Sequence, residues 1–271
     1  MKTPITYYGG KQRLAPIIVE LIPPHVLYAE PFCGGAAVFF SKKPSEVEVL
    51  NDTNGELINF YKIVKTQFEQ LYQAIVITLH SRKQHKQAWV IYSNPDLFDD
   101  IKRAWALWVL SSQGFAGQLE SVWGYDRSAD STSRKIYFNK SEFTEHYSRR
   151  LEKVQLESAD ALYIIRTRDS QDSFFYCDPP YYNSDMGHYK GYTKQNFENL
   201  LQALAVIKGK FLLSSYPSKL LEEYIRKHHW ETQVHEQLVT VNAKSLKEKK
   251  KMEVLTANYP LQADQHQMML F

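Results

Sequence analysis

A strand, a glycine turn, a helix and a second strand fill the chain up to about Asn54, and this unit constrains the fold more than any other feature. Leu27-Tyr28-Ala29-Glu30 reads as a short strand that runs into Pro31-Phe32-Cys33-Gly34-Gly35. Ala36 to Phe40 continues as a helix, and Glu46-Val47-Glu48-Val49-Leu50 is the next strand, ending at Asn51-Asp52. That is a βαβ unit. An earlier helix around Ile17, Ile18, Leu21 and Ile22 stops before Pro23-Pro24, where ring geometry forbids continuation. The end of the chain returns to this texture. Phe174-Phe175-Tyr176-Cys177 is a buried-strand run that ends at Asp178, and Leu162 to Ile165 fits a helix or a strand. A helix from about Lys194 to Ile207 stops at Gly209, read as the residue just past its C-terminus. Phe211 to Ser215 is a strand and Leu220 to Arg226 a helix. Val239-Thr240-Val241 and Val254 to Ala257 read as a closing antiparallel pair around a Lys-rich loop. Strands alternating with helices predict an α/β fold, a doubly wound, Rossmann-like sheet.

The middle of the chain has a different pattern. Leu57, Ile58, Tyr61 and Val64 share one helical face, and Ile101, Ala104, Trp105, Trp108 and Val109 form an amphipathic stripe. Ser111 to Lys140 is polar, contains Gly114, Gly117 and Gly124, and reads as loops or a short hairpin. The expected organisation is therefore one α/β domain, 1–54 and 151–271, with a mainly helical insertion at 55–150. The 271 residues suffice for that, and 44% hydrophobic with 23% charged residues excludes global disorder. The net charge is +3, so a nucleic-acid partner must meet a local basic surface. Cys33 and Cys177 form no disulfide framework and no metal-ligand spacing, so no metal is expected and a reducing cytoplasm fits. No apolar run reaches the length of a membrane span or opens a signal peptide.

Two constellations carry chemistry. In open α/β sheets, ligands sit beyond the carboxyl ends of the strands. Gly34-Gly35 follows the first strand, where backbone must approach a ligand, and Asp52 ends the second, where a carboxylate can accept from both hydroxyls of a ribose. The turn is Glu-Pro-Phe-Cys-Gly-Gly rather than G-x-G-x-x-G, which suits a ligand without phosphates. The second constellation is Asp178-Pro179-Pro180-Tyr181, directly after an apolar strand. Its prolines fix φ and remove N–H donors, so the loop presents a carboxylate and carbonyls. That acceptor-only pair matches an amino group with two protons, and Tyr181 offers a stacking face.

These motifs, in this order, resemble the Dam-like (α-group) adenine-N6 DNA methyltransferases. Tyr7-Tyr8-Gly9-Gly10-Lys11 is similar to the family's W-A-G-G-K, and Glu30 to Gly35 matches E-P-F-x-G-G. Asn51-Asp52 matches the ribose-binding acidic position, and Asp178 to Tyr181 the catalytic motif. Phe211 to Tyr216 and Glu253 to Tyr259 resemble later motifs. The resemblance covers about 1–54 and 155–260. It implies an S-adenosylmethionine-dependent methyltransferase whose target base is flipped out of double-stranded DNA, with 55–150 as the target-recognition domain. It implies cofactor contacts from Tyr7, Lys11, Asp52 and Asp178, from Glu30, Phe32, Gly34 and Gly35 of the motif, and from Asp160. Catalysis falls to Asp178, Pro179, Pro180 and Tyr181. Tyr7 stands where the family has Trp, and the Arg-Phe-Asn and Phe-Asn-Val-Pro-Phe-Gly strings of GATC-recognising members are absent.

DNA contacts are expected from Arg127, Arg134, Lys135 and Lys140 in the insertion, and from Lys247, Lys249 and Lys250 in the late Lys-rich run. A monomer or weak dimer is expected, and a cognate restriction endonuclease is a candidate partner. A cytosine-N4 enzyme, a protein or RNA methyltransferase, and a silent DNA-binding module remain as alternatives.

Overall fold

The computed structural model describes residues 1–127, 131–183, 191–239 and 249–261. Seven strands form one sheet in the order β3-β2-β1-β4-β5-β7-β6. They are β1 Leu27–Glu30, β2 Val47–Asn51, β3 Gln155–Glu157, β4 Ser173–Cys177, β5 Lys210–Ser215, β6 Glu231–Val239 and β7 Lys249–Ala257. β1, β4 and β5 run parallel, as do β2 and β3, and β7 is antiparallel to both β5 and β6. Every residue of β4 is buried, as expected for a strand covered on both faces. Strand order reverses between β1 and β4, so their carboxyl ends define the switch point where such sheets bind ligands.

The helices are α1 Ala15–Glu20, α2 Ala37–Ser41, α3 Gly55–Thr66, α4 Phe68–Val76, α5 Arg82–Ser93, α6 Asp100–Gln113, α7 Ser131–Ser141, α8 His146–Leu151, α9 Ala161–Arg168, α10 Lys194–Leu204 and α11 Lys219–His228. The α/β fold and the helical character of the insertion match the sequence reading. Two compact units partition the chain. The first holds Met1–Val19 and Cys33–Asp160, the second Glu20–Phe32 and Ala161–Phe271.

Several local expectations are corrected. The segment read as loops to Lys140 contains α7, which carries Arg134, Lys135 and Lys140. It lacks a strong apolar stripe; instead the Asp126 carboxylate caps it, accepting from Thr132 N at 2.8 Å and Ser133 N at 2.9 Å. Those two backbone donors hold the Asp126 carboxyl well below its usual range. The hairpin-like part shrinks to one bridge between Gly114 and Trp123. Leu162 to Ile165 lies in helix α9. The short edge strand β3 was not anticipated, because three half-polar residues carry no readable alternation. Gly209 does not follow a helix end, since α10 stops at Leu204. A Cβ there would sit 2.6 Å from Ser173 O and 2.7 Å from Ser170 O, so the glycine permits a close backbone approach. The last hairpin is longer than expected, with β6 starting at Glu231, and Lys249 and Lys250 belong to strand β7.

Candidate active site

In the first unit, Asp52 fastens the glycine turn to the end of β2. Its Oδ2 accepts from Gly34 N at 3.0 Å and its Oδ1 from Asn54 N at 2.9 Å. Asn54 in turn caps α3 through Glu56 N and Leu57 N. Burial raises the Asp52 carboxyl above its usual range, against the lowering effect of these two backbone donors. Gly34 has φ +47°, a left-handed conformation that favours glycine. The Tyr7 ring lies on this turn: a Cβ on Gly34 would meet it at 3.2 Å, and one on Gly35 would meet the Tyr7 Cβ at 3.0 Å. Tyr61 donates to Gly34 O at 2.8 Å and fixes the turn from behind. Lys11 is buried and its ammonium reaches Gly9 O at 3.5 Å. The loop before Asp160 is pinned to the same strand end. Asn51 exchanges side-chain hydrogen bonds with Ala159 O and N at 3.0 and 2.9 Å, and Ser158 donates to Asp52 O at 3.1 Å. Tyr7, Gly34, Gly35, Asp52 and the Asp160 loop therefore converge.

The chemistry of this cluster suits a nucleoside without phosphates. The Gly34 amide is already donated to Asp52, so it is not part of a phosphate cradle. Each Asp52 oxygen holds one N–H and keeps a further lone pair, the capacity needed to accept from a vicinal diol.

In the second unit, Glu30 ends β1 and Asp178 follows β4, two neighbouring parallel strands at the switch point. Glu30 is buried and accepts from Tyr28 Oη at 2.6 Å. Phe32 is half-buried, with its ring edge-on to Tyr192 at 6.4 Å. Pro179 is buried, while Asp178, Pro180 and Tyr181 are half-buried. The Tyr181 hydroxyl lies 3.0 Å from Asp178 Oδ1 and makes a still shorter contact with Glu253 Oε1. Its ring packs against Tyr216 at 4.3 Å between centroids. Tyr176, fully buried in β4, bonds Ser214 at 3.0 Å. Burial, then Asp178, raises the Tyr176 phenol well above its usual range, with Glu253 and Glu30 adding to the effect. Glu253 was legible only as part of a late motif with no role attached.

The described residues predicted to contact DNA sit in different local surroundings. Arg127 bonds Tyr125 Oη at 2.8 Å and lies 5.4 Å from that ring. Arg134 is exposed and Lys135 half-buried on α7. Burial lowers the Lys135 ammonium below its usual range. Lys140 donates to Val76 O at 3.1 Å and to Thr78 O, carbonyls at and just past the end of α4. Lys247 lies outside the described residues. Lys249 and Lys250 pair in register with Val239 and Leu238 of β6. Sequence reasoning missed a ladder beside Arg127. Arg82 lies 4.7 Å from the Trp123 ring, Trp123 stacks on Tyr125 at 5.6 Å, and His80 lies 5.0 Å from Trp123. Aromatic residues at 123 and 125 followed by a cation at 127, at every second position, were the signal available. Among the described residues, no group of His, Cys, Asp or Glu has the makings of a metal site, and no helix is long and apolar enough to cross a membrane.

The chain is similar in sequence to known proteins. The chain is 28% identical over 277 residues to Type II methyltransferase M1.LlaDCHI of Lactococcus lactis subsp. cremoris, covering 93% of each. It is 29% identical over 189 residues to DNA adenine methylase of Salmonella typhi, covering 65% of this chain and 64% of that one. Precorrin 8W decarboxylase of Methanobacterium thermoautotrophicum overlays at a TM-score of 0.42 and 9% identity over 95% of each chain, too distant a likeness to bear on function. The family model for D12 class N6 adenine-specific DNA methyltransferase matches residues 7–255. With nearly its whole length matched, the chain belongs to the D12 class N6 adenine-specific DNA methyltransferase family.

Proposed function

We propose that this enzyme methylates N6 of an adenine flipped out of double-stranded DNA at a specific sequence, with Asp178 and the Pro179 carbonyl holding the amine. The observation that carries this reading is the acceptor set at the switch point: Asp178, two prolines and an anchored Tyr181 directly after the buried strand β4. S-adenosylmethionine supplies the methyl group, so that a carbon–nitrogen bond forms as a carbon–sulfur bond breaks, its electron pair staying on sulfur. A conjugated exocyclic amine is a poor nucleophile. Hydrogen bonds from both its protons to Asp178 and the Pro179 carbonyl favour a tetrahedral nitrogen and the charge that develops there. Pro180 fixes the loop and Tyr181 offers its ring to the base.

Asp52 binds the ribose hydroxyls of the donor, and Tyr7 with Gly34 and Gly35 forms the wall beside it. Lys11, Glu30, Phe32, Asp160 and Asp178 complete the donor contacts. Residues 55–150 serve target recognition, and 1–54 with 151–271 serve catalysis. Arg127, Arg134, Lys135 and Lys140 approach the duplex, joined by Arg82, Trp123 and Tyr125. Guanidinium and aromatic planes suit phosphates and splayed bases. Lys247, Lys249 and Lys250 meet phosphates from the late hairpin. Lys140 already serves two carbonyls, which makes it the weakest of these. The two cysteines are buried free thiols, which supports work in the cytoplasm.

The test is product identity. DNA treated with the enzyme and labelled S-adenosylmethionine, digested to nucleosides, is expected to yield N6-methyladenine. N4-methylcytosine in its place would overturn the reading, because that amine makes the same hydrogen-bond demands.

A further inference from the structure

Glu253 has no part in the roles assigned so far, yet it reaches the centre of the acceptor side. It is 5% exposed on β7, where the next residue, Val254, pairs with Ser215 of β5. The Tyr181 hydroxyl contacts two carboxylates at once, Asp178 Oδ1 at 3.0 Å and Glu253 Oε1 at a shorter distance. A phenol has one proton and can otherwise only accept. Burial, with Asp178 and Glu253 beside it, keeps that proton on the Tyr181 oxygen far into alkaline pH. That one proton cannot serve both carboxylates fully, so the Tyr181 oxygen turns a lone pair toward one of them.

We propose that Glu253 is a positioning residue for methyl transfer: it holds the Tyr181 proton, turns a phenol lone pair toward Asp178, and so lets Asp178 keep the proton that the methylated nitrogen sheds. The inference rests on the reading of Asp178 as the partner of the amine. The step balances. One N–H bond of the methylated ammonium breaks and its electron pair stays on nitrogen. The proton forms an O–H bond on Asp178, whose negative charge and the ammonium's positive charge disappear together. The new Asp178 O–H then donates to the Tyr181 oxygen, and the chain Asp178–Tyr181–Glu253 has a proton in each link.

Glu253→Gln preserves the size of the side chain and a neutral acceptor but removes the charge that draws the phenol proton. The single-turnover rate of methyl transfer, at saturating donor and DNA, is expected to fall roughly 10-fold, the low end for a group that handles a proton in the transition state. Dissociation constants for S-adenosylmethionine and DNA are expected to stay within about 2-fold, since no donor or base contact is removed. In a Tyr181→Phe background the same substitution is expected to change the rate less than about 2-fold, because coupled residues are not additive. A second readout needs no turnover. In protein labelled with 13Cζ-tyrosine, the Tyr181 resonance, assigned by its loss in Tyr181→Phe, is expected to move in Glu253→Gln. An unchanged rate, an equal loss in the Tyr181→Phe background, or an unmoved resonance would overturn the inference. If Glu253→Gln does not fold, Tyr181→Phe carries the test: a full rate there sinks the idea, and a similar loss supports it. Asp178→Ala separates the two readings. Full activity in that variant sinks the site itself, whereas its inactivity beside a fully active Glu253→Gln sinks only the role of Glu253.

Discussion

The proposed donor side and the proposed acceptor side of this enzyme are built by different means. Around Asp52 the key contacts join a side chain to backbone: Gly34 N, Asn54 N and Gly34 O are the partners, all close to the βαβ turn. Around Asp178 the key contacts join side chain to side chain, and the Tyr181–Glu253 bond closes over 72 positions. A backbone-built site is fixed as soon as its strand, turn and helix form. A side-chain-built site depends on how distant strands register, and its hydrogen bonds can rearrange during a reaction. Binding the donor asks for the first kind of construction, and moving a proton asks for the second.

One long-range device on the donor side tests how far that contrast extends. Glu48 of β2 accepts from Lys42 at 2.6 Å and from both Arg150 terminal nitrogens at 2.5 and 2.8 Å, and all three side chains are nearly buried. Burial pushes the Glu48 carboxyl up, but hydrogen bonds from Arg150 and Lys42 outweigh it and hold the group below its usual range. Arg150→Ala leaves that charge short of a partner, so urea unfolding is expected to show a loss of about 3–5 kcal/mol. A loss under ~1 kcal/mol would mean the strand end is held by the backbone turn alone. The sign of the pH dependence follows from the lowered carboxyl. The stabilisation is present above the unfolded-state pKa and is lost as pH falls through the still lower folded value.

A smaller effect is expected at Asp52 itself. Asp52→Asn keeps one acceptor and the shape, so the dissociation constant for S-adenosylmethionine is expected to rise roughly 100-fold, the scale for a charge-assisted pair of hydrogen bonds. In the parent enzyme, donor affinity is expected to weaken as pH falls through the Asp52 carboxyl, starting above the usual carboxylate range because burial raises it. The amide that replaces this carboxyl in the variant does not titrate, so the variant's affinity is expected to be flat over the same pH range. Equal pH dependence in both would remove Asp52 from the donor site. The smallest effects belong to the Arg82–Trp123–Tyr125–Arg127 ladder. Arg82→Ala and Arg127→Ala are each expected to flatten the slope of log affinity for DNA against log salt by about 1. Unchanged slopes would make the ladder a packing feature of the insertion.

The same contrast explains what was legible in the sequence. The βαβ unit, the glycine turn, Asp52 and Asp178-Pro179-Pro180-Tyr181 follow from local pattern, because each element is set by residues adjacent in the chain. Helix α7 was missed because its start depends on Asp126, outside the helix, rather than on an apolar stripe. Glu253 was missed because only the antiparallel return of β7 beside β5 brings it to Tyr181. Arg82 was missed because its aromatic partner lies beyond α5 and α6 in the chain. The motif strings mark where the chemistry is proposed, but no string reports which distant carboxylate bonds a phenol.

On the proposed reading, holding the donor falls mainly to the residues around Asp52 and activating the amine to Asp178, which touches both substrates and so exposes that division most. The direct measurement is Asp178→Ala, with S-adenosylmethionine affinity from isothermal titration set beside the single-turnover rate of methyl transfer. Removing one preorganised acceptor from the transition state is expected to lower the rate at least ~1,000-fold, about 4 kcal/mol, while donor affinity falls no more than about 10-fold. Equal losses in affinity and rate, or a rate close to that of the parent enzyme, would contradict it.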